Sequence, residues 1–162
     1  MRVLLLLSLC LALSPATQGC QPGIDATLAA LNALRASPQT CGGRAWPAVP
    51  ALRWQDTLAA SARSHAVDLA GRDRLDHLGA NGAPLRQRLR EAGYAMRLAG
   101  ENLAGGPETL DEALVQWLAS PAHCENLMEA RFEEAGLACV TGPGSLQRYW
   151  VLQLAAPART KP

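Results

Sequence analysis

Apolar residues recur along the chain at two spacings, and each predicts its own kind of element. Between Ile24 and Ala36, Leu28, Leu31 and Leu34 return every third residue, which predicts a helix capped by Asp25 or Thr27 and ended by Ser37-Pro38. Asp56 to Ala70 is the clearest helical pattern: Leu58, Ala62, His65 and Leu69 share a face, Ala59 and Ala66 flank it, and Gly71 stands at the C-cap. Pro84 opens a short helix with Leu85 and Leu89 on one side, closed by Gly93. Thr109 caps another helix, Glu112 completes a capping-box pattern, and Leu110, Ala113, Leu114 and Trp117 form its buried stripe up to Pro121. Alternation marks the strands. Met96 to Ala104 reads as a strand interrupted by Gly100. Gly136–Val140 and Arg148–Ala155 flank the turn TGPGS as a hairpin, with Trp150, Leu152 and Leu154 on one face and Tyr149, Val151 and Gln153 on the other. Gln39–Leu52 and Arg72–Ala83 read as loops. Helices beside a small antiparallel sheet make an α+β domain without internal repeats.

Length and composition narrow the class. The 162 residues suffice for one domain with a substantial core. A net charge of +1, with no basic stripe, gives no footprint for nucleic acid. Met1-Arg2, the apolar run Val3–Leu13 and the small residues that follow fit a secretory signal over 1–19, with cleavage after Ala16 or Gly19. A lipid anchor on Cys20 is the alternative. No later apolar run is long enough to serve as a transmembrane anchor once the signal is removed. Without Cys10, lost with the signal, four cysteines remain. An even number in an exported chain predicts two disulfides, and the absence of any CxxC pair argues against a zinc–thiolate site. Cys41 lies in a long loop that needs restraint, so Cys41–Cys124 with Cys20–Cys139 is the preferred pairing. Cys124–Cys139 with Cys20–Cys41 is the runner-up.

The candidate chemistry lies in short stretches. WLASPAHCENLM carries Ser120, Pro121, His123 and Cys124, read as the end of a helix running into a loop. AGENLA carries Glu101, and the loop DHLG carries His77. Together with Asn32 and Arg35, LRW, the second helix, NLM and YWVLQLA, these motifs run in order from Leu28 to Ala156. In that order the chain resembles the CAP superfamily (cysteine-rich secretory proteins, antigen 5 and pathogenesis-related proteins; the SCP domain), in particular its short exported bacterial branch.

The resemblance implies an α-β-α sandwich over residues 24–157, a short tail over 158–162, and an open cleft lined by His77, Glu101 and His123. The family's second acid falls at Ser120, so the set of four is incomplete. The aromatic run that follows the second histidine in longer members is replaced by Cys124-Glu125-Asn126. A binding or interaction module is the leading expectation: a monomer that takes a small apolar molecule, a lipid or an envelope component. His77, His123 and Glu101 are also donors that suit zinc or another divalent metal. A hydrolase using that metal, or Ser120 as nucleophile, is the alternative.

Overall fold

The computed structural model describes residues 19–159, so nearly all of the expected signal segment and the end of the tail lie outside the described residues. In chain order the elements are α1 (Ile24–Arg35), β1 (Gln39–Cys41), β2 (Arg44–Trp46), β3 (Arg53–Trp54), α2 (Asp56–Arg72), α3 (Leu85–Glu91), β4 (Met96–Gly105), α4 (Leu110–Ala119), α5 (Pro121–Leu127), β5 (Glu134–Thr141) and β6 (Arg148–Pro157).

The central sheet has the order β3-β5-β6-β4. The β5–β6 hairpin and the β6–β4 pair are antiparallel, while β3 joins β5 in parallel. The period-two alternation of β6 sorts the two faces. Trp150, Leu152 and Leu154 pack with Leu31 of α1 and with Leu110, Ala113, Leu114 and Trp117 of α4. Tyr149 and Val151 pack with Ala62, Ala66, Leu69 and Ala70 of α2. The sheet is thus the middle layer of an α-β-α sandwich. Trp117 and Trp150 are fully buried, and each indole N–H finds a carbonyl, Leu103 O and Pro107 O, both at 2.9 Å.

Several boundaries differ from those expected. Helix α2 runs past Gly71 to Arg72, and Asp73 takes the left-handed C-cap position at φ 47°. Asp73 is held there because its carboxylate accepts from Ser145 N, Leu146 N and the Tyr149 hydroxyl. Helix α1 is capped by Gly23 rather than Asp25 or Thr27, and the Thr27 hydroxyl donates to Gly23 O instead. Glu112 reaches back to Glu108 N, one residue before the cap. The Gln39–Leu52 loop contains the β1–β2 hairpin, which turns at Gly42 and Gly43, both at positive φ.

The largest difference is α5. Pro121 ends α4 but also starts a new helix, because proline at the first helical position loses no hydrogen bond that the helix would make. His123 and Cys124 therefore sit on a helix rather than in a loop. Two disulfides, Cys20–Cys139 and Cys41–Cys124, span 119 and 83 residues of sequence, in the preferred pairing.

Candidate functional site

Glu101 is the centre of the site. It lies in β4 directly opposite Gln153 of β6, so both side chains point to the α2 face of the sheet. Its carboxylate is buried and surrounded by donors. Oε1 accepts from His77 Nδ1 at 3.0 Å and from Arg88 Nη2 at 2.9 Å; Oε2 accepts from Arg88 Nη2 at 2.8 Å and Gln153 Nε2 at 3.2 Å. Burial alone would raise its pKa, but the His77 hydrogen bond and the Arg88 charge outweigh burial and hold it below the ordinary carboxylate range.

His77 is placed by its loop rather than by a regular element. The Asp76 carboxylate accepts from Leu78 N, Asp76 O accepts from His65 Nε2 at 2.8 Å, and His77 O accepts from Arg88 Nη2 at 3.1 Å. With its Nδ1 proton directed at Glu101, the His77 ring keeps its Nε2 lone pair free, and 61% of the side chain is exposed. The hydrogen bond to Glu101 raises the His77 pKa.

His65 lies on the buried face of α2. It is a core residue bonded to a backbone carbonyl, and its Nε2 also lies 3.9 Å from Glu101 Oε1. Burial lowers its pKa. The neutral ring then carries its proton on Nε2, and its buried Nδ1 has no hydrogen-bond partner among the described residues.

His123 approaches from the opposite layer. The carbonyl of His123 accepts from Asn102 Nδ2, and Asn126 bonds to both Asn102 Oδ1 and Glu101 O, so α5 is tied to β4 by side-chain amides. The Cys41–Cys124 bridge holds the same helix from behind. Burial and the nearby charge of His77 lower the His123 pKa. Ser120 is the junction between α4 and α5. Its backbone N–H donates to Trp117 O at the end of α4, its side chain makes no capping bond, and among the described residues no hydrogen bond joins it to His123.

Of the three expected metal donors, His77 is hydrogen-bonded to Glu101, and His123 lies near enough for the charge of His77 to lower its pKa. Among the described residues, no group of three His, Cys, Asp or Glu side chains is placed to hold an ion. Both Glu101 oxygens are taken by hydrogen-bond donors, one of them a guanidinium. With that carboxylate engaged, His77 Nε2 and His123 are the donors left, one fewer than the three protein ligands of a catalytic zinc site.

Arg88 was not legible as a site residue. Its signal in the sequence is only an arginine beside Leu89 on a short helix, which reads as a solvated position. In the structure its side chain is 11% exposed. Arg88 and His65 also line a groove of about 580 Å³ between α2 and α3, one from each helix, to which residues 79–81 contribute. Ala60, Ser61, Ser64 and Ala92 line it, with Asp68 and Glu91 as its acidic members; His77, Glu101, His123 and Ser120 do not.

Known proteins agree with this architecture. The model of the cysteine-rich secretory protein family matches residues 28–154. The YkwD protein of Bacillus subtilis is 30% identical over 90 residues, covering 55% of this chain and 35% of its own. An extracellular protein with an SCP domain from Bacillus anthracis superposes with a TM-score of 0.59 at 26% identity, over 67% of this chain and 34% of that one. The present chain thus spans about a third of either relative's length. An outer surface protein of Borrelia burgdorferi shares the fold, with a TM-score of 0.66 at 20% identity over 86% of this chain and 99% of that one. Matched by the family model across its sandwich, the chain belongs to the cysteine-rich secretory protein (CAP) family.

Proposed function

We propose that the chain is an exported binding module that takes a small, largely apolar ligand, such as a lipid or another envelope component, beside the His77–Glu101 cluster. The observation that carries this reading is the groove between α2 and α3. Its volume of about 580 Å³ lies within the range of small-molecule sites, and its lining sets the small apolar surfaces of Ala60, Ala80 and Ala92 beside the polar groups of Ser61, His65 and Arg88. It reaches the cluster through His65 and Arg88, which belong to both. Turnover has less support. Ser120 lacks the bond to histidine that would activate it, and Glu101 is engaged as an acceptor on both oxygens.

Export is supported by two disulfides, which persist in oxidising compartments, and by the secretory pattern of residues 1–19. Among the described residues, no helix is long and apolar enough to cross a membrane. The names of the Bacillus anthracis and Borrelia burgdorferi proteins place them outside the cell or on its surface, in keeping with the same address here.

The test uses a neutral apolar fluorophore, N-phenyl-1-naphthylamine, with 1-decanol as competitor. The unaltered protein should enhance its fluorescence saturably, and decanol should reverse the gain. Ala60→Trp, which fills the groove, should weaken binding at least tenfold, whereas Ser120→Ala should leave it unchanged. Equal binding by Ala60→Trp, or none by the unaltered protein, would remove the groove as the site.

A further inference from the structure

The geometry points to Arg88 as a built-in cation that occupies the carboxylate a metal would need and so makes the cleft of this chain metal-independent. A zinc ion takes lone pairs from neutral imidazoles and a carboxylate at about 2.0–2.2 Å. Here Glu101 offers none that is free. Arg88 Nη2 contacts both of its oxygens at 2.9 and 2.8 Å, and His77 and Gln153 take one more contact each. His77 spends its Nδ1 proton on Glu101 and has only its exposed Nε2 left for an ion, so without the carboxylate at most two imidazoles remain, one short of the three protein ligands of a catalytic zinc site.

Arg88 cannot easily yield the position. Its Nε and Nη1 are buried without partners among the described residues, and its remaining acceptor is the carbonyl of His77. An arriving divalent cation would take Glu101 from a guanidinium that is 11% exposed, and would place two positive centres side by side. The family's second acid could have offset that charge, but Ser120 stands there. One carboxylate and one guanidinium leave the centre neutral, with no net attraction for a cation.

This inference does not depend on what the groove binds. The Ala60→Trp experiment can fail while this one succeeds, and the reverse. Zinc alone is the probe, titrated calorimetrically at neutral pH into the unaltered protein, Arg88→Lys, Arg88→Met and Arg88→Met/Glu101→Gln, each first shown to melt cooperatively. The unaltered protein and Arg88→Lys, which keeps the charge, should show no Glu101-dependent binding. Arg88→Met should bind one zinc at least tenfold more tightly, and adding Glu101→Gln should abolish the gain. A folded Arg88→Met that gains nothing overturns the assignment. So does zinc binding by the unaltered protein that is lost in Glu101→Gln or His77→Ala. If Arg88→Met does not fold, the unaltered protein decides alone. Its His77 and His123 ring resonances should hold their positions through one equivalent of zinc, and a joint displacement of both overturns the inference.

Discussion

At the scale of single residues, the site is a set of titrating groups moved apart by their surroundings. Glu101 raises the pKa of His77 by accepting its Nδ1 proton, while burial and the charge of His77 lower that of His123. A histidine with a raised folded pKa stabilises the fold below its unfolded value, ~6.5, and that contribution is lost as pH rises through the folded value. The stability difference between the unaltered protein and His77→Ala should therefore be wider at pH 6 than at pH 8.5. In an NMR titration, His77 should have its midpoint above ~6.5 and fall toward it in Glu101→Gln, while His123 should titrate below ~6.5. A His77 midpoint below that of His123 would contradict the Glu101 hydrogen bond. His77, Glu101 and His123 could be named from motifs because each stands in a short recognisable run. Arg88 could not, because only the fold shows that a helix outside those runs directs its arginine onto Glu101. Arg35 is a similar case. The motif gave its position but not its work, which is to donate to the carbonyls of Pro50, Leu127, Glu129 and Phe132 from a fully buried position.

At the scale of elements, long periodic patterns were legible and short ones were not. The faces of α2, α4 and β6 follow from spacing, because ten or more residues repeat one rule. Strands β1 and β2 have three residues each around a Gly-Gly turn, too few for a period to register. Helix α5 was hidden by Pro121, which reads as a stop unless the next turn is known to begin there. Close approach is equally invisible in a single sequence, and Gly136 shows it. This glycine in β5 faces α2, and a Cβ built on it would lie 2.1 Å from Ala59 N and 2.4 Å from Leu58 C. Those are backbone atoms of the first turns of α2, which cannot move aside as a side chain can. Gly136→Ala should therefore displace the helix that carries His65, costing ~3 kcal/mol or more, at or beyond the upper end for overpacked cores. Denaturant unfolding measures it. A midpoint within error of the unaltered protein would mean that α2 does not sit this close to β5.

At the scale of the whole molecule, the sandwich is closed by covalent links between its beginning and its second half. Cys20, ahead of α1, is joined to Cys139 in β5, and the neighbouring Gln21 accepts from Cys139 N at 2.8 Å. Cys41 in the β1–β2 hairpin is joined to Cys124 in α5, where Gly42 leaves room for the ring of Pro121. The pairing was readable from the need to restrain a long loop; its second consequence, that the bridge fixes the helix carrying His123, required α5 to be seen. In the chain-entropy model, loops of 119 and 83 residues each correspond to about 4–5 kcal/mol of stabilisation through the unfolded state. The two loops overlap, since the segment from Cys41 to Cys124 lies wholly inside that from Cys20 to Cys139. Once one bridge is closed, the other removes less freedom from the unfolded chain. Cys20→Ser/Cys139→Ser and Cys41→Ser/Cys124→Ser, each tested with the other bridge still closed, should each lose less than the full single-loop value, and the variant lacking both should lose more than their sum. The two bridges should also separate by function. Losing Cys41–Cys124 should shift the His123 ring resonance, because α5 is then held by its packing, its amide contacts to β4 and the Arg35 bond to Leu127 O at its far end, whereas losing Cys20–Cys139 should leave that resonance in place. Additive losses in equilibrium unfolding would contradict the nested-loop account, and an unmoved His123 signal in Cys41→Ser/Cys124→Ser would show that packing, Arg35 and the amides of Asn102 and Asn126 position α5 without the bridge.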